Sequence, residues 1–411
     1  MFMKFVAFLF VLLMLFAGQV SGGSIPKDSL KVDNRGQLPG FMHNSYFEVN
    51  VGSINYPFSG STLEPGFIFS SVTVRHPAVR LVLLGKDINR YIAVQVTYMR
   101  PVWWVNYKYH VSGESASTVY SRSVWMNIAG VVIKPKLPLN KRFTLYSEGG
   151  LGIITRHGIT HENGSIVVKD MAAATTTFGT GVYYNLSEKW ALQVAATYTS
   201  YVKRYNQPYT TFIGGGFKYS FLPFSGEKIQ NAAKSGKIHP KQWVQVGIST
   251  NSFGYATNDL LRKSYLFWGG GCEVKNGLMI SYKRNLFHSP KVFALDFGVN
   301  AAFWDTNINR EKFFSMSVFP VFRFNFLHNR WMDPHFFYTL GGPAFLSRSL
   351  LDGINTGKRF TFYDAIGFGA FFGIERQFNA EIKVAHYSNG NIFPENAGVK
   401  IPLTFSFGFC F

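Results

Sequence analysis

Val399-Lys400-Ile401-Pro402-Leu403-Thr404-Phe405-Ser406-Phe407-Gly408-Phe409-Cys410-Phe411 closes the chain, and its reading decides the fold. Apolar residues recur at every second position: Val399, Ile401, Leu403, Phe405, Phe407, Phe409 and Phe411 fall on one face, and Lys400, Thr404 and Ser406 on the other. A period of two is the signature of a β-strand with unlike surroundings on its two faces. An apolar face this long, ending in an aromatic residue, suits a strand whose outer side meets lipid and whose inner side meets a polar lumen.

The same alternation recurs upstream. In Lys189-Trp190-Ala191-Leu192-Gln193-Val194-Ala195-Ala196-Thr197-Tyr198, the residues Trp190, Leu192, Val194, Ala196 and Tyr198 share a face opposite Gln193 and Thr197. Segments of this kind form two groups. The first lies near 43–54, 66–76, 91–100, 120–134, 141–154, 174–186, 189–200 and 209–222. The second lies near 242–253, 264–274, 277–286, 291–303, 312–326, 334–347, 360–375, 379–389 and 398–411, which makes eight or nine strands. Between them, Glu227–Lys241 has no alternation and reads as a linker. The expected class is all-β: an antiparallel transmembrane β-barrel, as two eight-stranded barrels in tandem over 40–223 and 242–411 with a linker at 224–241. The alternative is one barrel of about 16 strands.

Composition supports an exported membrane protein. Lys4, the apolar run Phe5–Phe16 and the small residues around Gly22 read as a signal peptide over 1–22. After residue 30 no apolar run approaches the roughly 20 residues that a helical span needs. Aromatic residues make up 17% of the chain and there are 40 glycines, which suits interface girdles and bending strands. The formal net charge of +19 would suit nucleic acid in a cytoplasmic protein; in an exported one it points to anionic lipid, and no nucleic-acid partner is expected. Localisation in the outer membrane follows, with Phe411 at the periplasmic rim, where barrel-assembly machinery would engage it. Cys272 and Cys410 are too few for a disulfide framework, although they could pair if the first and last strands of the closing barrel are neighbours.

The chemistry concentrates in Ala385-His386-Tyr387-Ser388-Asn389-Gly390. Residues two apart on a strand project to the same side, so an imidazole and a hydroxyl share a face. Ile382 and Val384 continue that face, while Glu381 and Lys383 take the other. A general base and a nucleophile on the lipid-facing wall can meet only lipid, and the implied substrate is an acyl ester of a membrane lipid. The bland alternative is a polar pair at the head-group interface.

His386-Tyr387-Ser388-Asn389, followed by Pro394, Asn396 and Gly398, resembles the signature of the outer-membrane lipid A 3-O-deacylases, grouped with acyloxyacyl-hydrolase-like proteins. The resemblance covers about 242–411 and is concentrated in its last 30 residues. Outer-membrane phospholipase A has a similar His-x-Ser-Asn-Gly, so phospholipid is the alternative substrate. The resemblance implies an eight-stranded barrel with Ser388 as nucleophile, His386 as general base and Asn389 contributing to an oxyanion hole. One position departs from it. Twelve residues after the Ser the deacylases place a Glu, and the phospholipase an Asn, to orient the His; here that residue is Lys400, which has donors only. Two carboxylates are candidate substitutes: Glu395, folding back from the loop, and Asp364, which a three-residue turn at 376–378 would bring opposite Gly390.

No cofactor is expected, and His288, His328 and His335 lack metal-ligand spacing. Trp103-Trp104 and the Tyr-rich stretch to His110 read as an interface belt. The first half carries no comparable site. A non-catalytic structural or adhesion barrel is the reading that competes with an esterase.

Overall fold

The computed structural model describes residues 34–101, 105–115, 117–235, 237–263, 269–390, 393 and 395–411, so the expected signal peptide and the Trp103-Trp104 pair lie outside the described residues. Among them no helix is long and apolar enough to cross a membrane. The chain divides into two compact units, Met42–Leu222 and a second made of Pro223–Phe411 with the segment up to Phe41.

In the first unit the strands are β1 (Ser45–Asn55), β2 (Phe67–Thr73), β3 (Pro77–Asp87), β4 (Ile92–Pro101), β5 (Val105–Val111), β6 (Tyr120–Pro138), β7 (Phe143–His157), β8 (Ile159–Thr160), β9 (Ile166–Val168), β10 (Met171–Asn185), β11 (Trp190–Thr199) and β12 (Thr210–Ser220). Eight of them close in the order β1-β3-β4-β6-β7-β10-β11-β12, with β5 and then β2 added beyond β6. The expected strand near 66–76 is therefore not a barrel strand, and β3 takes its place. β3 escapes an alternation search because its register shifts between Val82 and Leu84, and because Arg80 stands mid-strand, where it pairs with Glu148 at 2.5 Å. Tyr107 and Tyr109 are fully buried in an aromatic cluster with Phe58 and Phe67, so they do not form the expected interface belt.

The second unit contains β13 (Gln242–Thr250), β14 (Cys272–His288), β15 (Phe293–Thr306), β16 (Lys312–Asn325), β17 (Met332–Leu346), β18 (Leu350–Leu351), β19 (Ile354–Asn355), β20 (Phe360–Phe372), β21 (Phe378–Ser388) and β22 (Val399–Cys410). β13, β14, β15, β16, β17, β20, β21 and β22 close into an eight-stranded barrel, and β18 pairs with β19 as a separate hairpin. Of the strand expected near 264–274, residues 264–268 lie outside the described residues and 272–274 open β14, which runs on through the strand expected near 277–286; a helix, Ala256–Lys263, stands earlier in the connection from β13. Within the stretch read as a linker lies a second helix, Gly226–Lys234, capped by the Ser225 side chain accepting from the Lys228 N–H.

Both lumens are filled rather than open. In the first, buried Glu48 accepts from Lys134, Gln95 and Gln193. In the second, Glu381 takes Lys283 at 2.6 Å and Lys383 at 3.3 Å, and Asp296 receives two N–H groups of Arg323. Charges taken this far from water persist because each is paired. Outward, the alternate residues are apolar and exposed; Phe372, Phe378, Phe407 and Phe409 make one aromatic band near the chain end. That end of the second barrel has the short connections 289–292, 326–331 and 373–377, whereas the opposite end has one short connection, 307–311, and the three long ones, 251–271, 347–359 and 389–398. Short turns belong to the periplasmic side of such barrels and long loops to the outside, so the end of β21 bearing Ser388 faces outward from the cell.

The terminal strand departs from its expected simple alternation. Register with β21 shifts between Lys383 and Ala385, opposite Pro402 and Leu403. Pro402 has no N–H to give the ladder, and the strand bulges there. Phe405, Phe407 and Phe409 face outward as expected. Val399 and Ile401 instead turn into the lumen core with Tyr363 and Tyr387. Cys272 and Cys410 are both free: Cys272 pairs in register with Val399 and Cys410 lies at the other end of β22, about 35 Å away along the strand.

Candidate functional site on the outer wall

β20, β21 and β22 lie side by side, and their registers build one row across the wall. Asp364 stands directly opposite His386, and His386 directly opposite Lys400. Their strand neighbours Tyr363, Ala365, Ala385, Tyr387, Val399 and Ile401 fill the lumen core, which turns Asp364, His386 and Lys400 to the outer face. Only the bulge at Pro402 allows this. Without it Lys400 would share the inner face with Thr404 and Ser406.

His386 Nδ1 is 3.6 Å from Asp364 Oδ2. The other carboxylate oxygen, Oδ1, accepts the Gly341 N–H at 2.5 Å. That N–H is aimed by a second bulge, in β17 between Thr339 and Gly342, where Gly341 adopts φ +63°, a backbone conformation that favours glycine. The expected register placed Asp364 opposite Gly390. The structure places it opposite His386, because the β20–β21 turn at 373–377 is centred on residue 375, two residues earlier than the expected turn at 376–378. Arg376 holds that turn, donating to both oxygens of Asp333 and to the Gly373 carbonyl.

Ser388 is the last residue of β21, half-buried and on the same face as His386, with about 7 Å of strand between their Cα atoms. Lys400 reaches away from the imidazole: its Nζ is 3.0 Å from Glu273 Oε1 and 3.4 Å from Asp259 Oδ1. Asn389 is fully buried; its N–H donates to Asn396 Oδ1 and its Nδ2 to the Glu395 carbonyl. These donors staple the loop after Ser388. Glu395 does not fold back on the histidine: its carboxylate accepts from Asn355 on β19.

Sequence reasoning missed the cover. The Ala256–Lys263 helix packs against β21 and β22, and Asn258, itself buried, donates to the Ile401 and Ala385 carbonyls at 3.0 and 3.5 Å. These acceptors flank the Pro402 bulge, where the ladder is interrupted. His386 is consequently only 2% exposed although it faces outward. The helix presents Leu260, and the turn before it Phe253, to the surroundings, each 64% exposed. The signals available in the sequence were Pro402 within a strand and the Gly341-Gly342 pair, both marks of a bulge.

Among the described residues no group of three or more His, Cys, Asp or Glu could hold a metal ion. The arrangement sets a hydroxyl, an imidazole and a carboxylate on one outward face of the barrel wall.

Comparison with known proteins gives two family matches, one for each barrel. Residues 243–402 match the model described as lipid A 3-O-deacylase (PagL), and residues 41–221 match the outer membrane protein beta-barrel domain. The chain is an outer-membrane β-barrel protein. Among solved structures, the outer membrane enzyme PagL is 16% identical, with 41% of this chain and 98% of that one covered and a TM-score of 0.29. Neisserial surface protein A is 14% identical, with coverages of 43% and 97% and a TM-score of 0.28. The N-terminal β-barrel domain of Pseudomonas aeruginosa OprF is 12% identical, with coverages of 43% and 98% and a TM-score of 0.27. No curated protein sequence matches the chain.

Proposed function

We propose that the second barrel is an ester hydrolase that removes an acyl chain from lipid A, with Ser388 as nucleophile and His386 as general base. The observation that carries this reading is the placement of both groups on the outer wall, at the outward end of a barrel whose residues 243–402 match the deacylase family model. A lipid's acyl ester reaches such a wall from the side, within the leaflet, without entering a lumen that is already packed.

Asp364 faces Nδ1 of His386, so Nε2 is the nitrogen left for the serine proton. Ser388 Oγ attacks the ester carbonyl while His386 takes its proton. The tetrahedral intermediate collapses as His386 returns that proton to the departing sugar oxygen, leaving an acyl-serine. Water, deprotonated by His386, then attacks the acyl-serine and frees the fatty acid, and the proton goes back to Ser388. Atoms balance as one ester and one water giving one alcohol and one carboxylic acid.

The near-complete burial of His386 favours a second reading, a non-catalytic barrel in which the row on the wall anchors the Ala256–Lys263 helix. Mass spectrometry of lipids from cells making the wild-type protein or Ser388→Ala separates the two. Loss of one acyl chain from lipid A that requires Ser388 supports the deacylase. Lysophospholipid in its place moves the substrate to phospholipid, and identical lipids with folded protein in the membrane leave the non-catalytic barrel.

A further inference from the structure

His386 lies between two strands, and each places a side chain directly opposite it: Asp364 from β20 and Lys400 from β22. These flanks differ in what their charges do. The Lys400 ammonium is occupied by Glu273 and Asp259, both outside β21, and is drawn away from the imidazole. Asp364 has its own anchor. The Gly341 N–H fixes Oδ1 and leaves Oδ2 toward Nδ1.

A base that takes a proton in a site this closed to water becomes a cation with little solvent to stabilise it, and a neighbouring ammonium makes that worse. Both difficulties are met in the row: two carboxylates neutralise Lys400, and a third stands against the ring. We propose that Asp364 is the positioning residue for His386, fixing the tautomer with the proton on Nδ1 and balancing the imidazolium that forms at each proton transfer. The bulge at Gly341 then has a role in the reaction, because it sets the direction of that carboxylate. This inference rests on the esterase reading and specifies which carboxylate serves it.

The test is hydrolysis of lipid A in detergent micelles by wild type, Asp364→Asn, Asp364→Glu and Ser388→Ala, with folding of each confirmed by its heat-modifiable gel mobility. An amide at 364 can donate to Nδ1 and so favours the wrong tautomer. Asp364→Asn should lower kcat by about a hundredfold or more with KM little changed, as loss of an orienting acid does elsewhere. Asp364→Glu keeps the carboxylate and should stay within about tenfold of wild type. Hydrolysis that needs Ser388 but is the same in Asp364→Asn as in wild type overturns the role of Asp364 and leaves the esterase standing. Equal loss in the Asn and Glu variants, both folded, overturns it too, since packing rather than charge would then matter. A wild type without Ser388-dependent hydrolysis overturns both.

Discussion

The two barrels solve the same structural problem in the same way and differ on their outer walls. Each closes eight strands around paired lumen charges, with Glu48 and Glu148 serving Lys134 and Arg80 in one and Glu381 and Asp296 serving Lys283, Lys383 and Arg323 in the other. The outward face of β11 in the first, Trp190, Leu192, Val194, Ala196 and Tyr198, is apolar from end to end. The outward face of β21 in the second begins alike, with Phe378 and Ile382, and ends in His386 and Ser388. Filling the lumen makes a stable barrel, and under the esterase reading proposed above chemistry is added by altering a few lipid-facing positions near one rim.

Removing one lumen carboxylate from each barrel is the harshest way to break this comparison. Glu381→Leu strands two buried lysines and Glu48→Leu weakens the support of one, and each should cost on the order of 3–5 kcal/mol. The temperature at which the folded gel band disappears measures the loss. Lipid A hydrolysis per folded molecule should survive Glu48→Leu, and its loss there would show that the halves do not act separately.

A milder change sharpens the contrast at the wall. Asn258→Ala removes the side chain that ties the Ala256–Lys263 helix to the bulge. Losing roughly 1 kcal/mol of hydrogen bonding should raise the open population about fivefold. Ethoxycarbonylation of His386 by diethyl pyrocarbonate, followed by peptide mass mapping, should accelerate to match, and an unchanged rate would mean that something else covers the ring.

The smallest effect concerns the loop hairpin of the second barrel. Partial burial pushes the Asp352 carboxyl up, but hydrogen bonds from the Thr306 hydroxyl and from the N–H groups of Asn309 and Ile308 outweigh it and hold the group below the usual carboxylate range. A depressed folded value means that the contribution is present above the ordinary carboxylate range and is lost as pH falls through the depressed one. Protease nicking within 347–359 should therefore stay constant from neutral pH down to the carboxylate range and rise only below it. An acid protease assay at stepped pH reads this directly.

Much of this architecture was legible because alternation reports two unlike faces. Trp190–Tyr198 was read residue by residue, and so was the outward placement of His386. What alternation cannot report is where it slips. A bulge inserts one residue and reverses every face beyond it, which hid β3 at Val82 to Leu84 and misplaced Val399, Ile401 and Lys400. The position of a turn has the same power over pairing: a centre two residues earlier moved Asp364 from Gly390 to His386. The Ala256–Lys263 helix was illegible for another reason. At eight residues it has little intrinsic stability, and it is held by tertiary contacts at carbonyls that only the bulge makes available.

The path of the chain carries a lesson about modularity. Arg35, ahead of the first barrel, donates to the carbonyls of His239 and Pro240 and to Asn285, all in the second unit, and Gln37 donates to the Phe224 carbonyl. Met42–Leu222 is thus a guest inserted into a host whose own sequence resumes at Pro223. The guest starts and finishes at one seam, since β1 pairs with β12 and the Phe221 N–H donates to the Ser45 carbonyl at 2.8 Å. Ends that meet across a single strand spacing let a whole barrel be gained or excised without stretching the host, as domain insertion elsewhere requires.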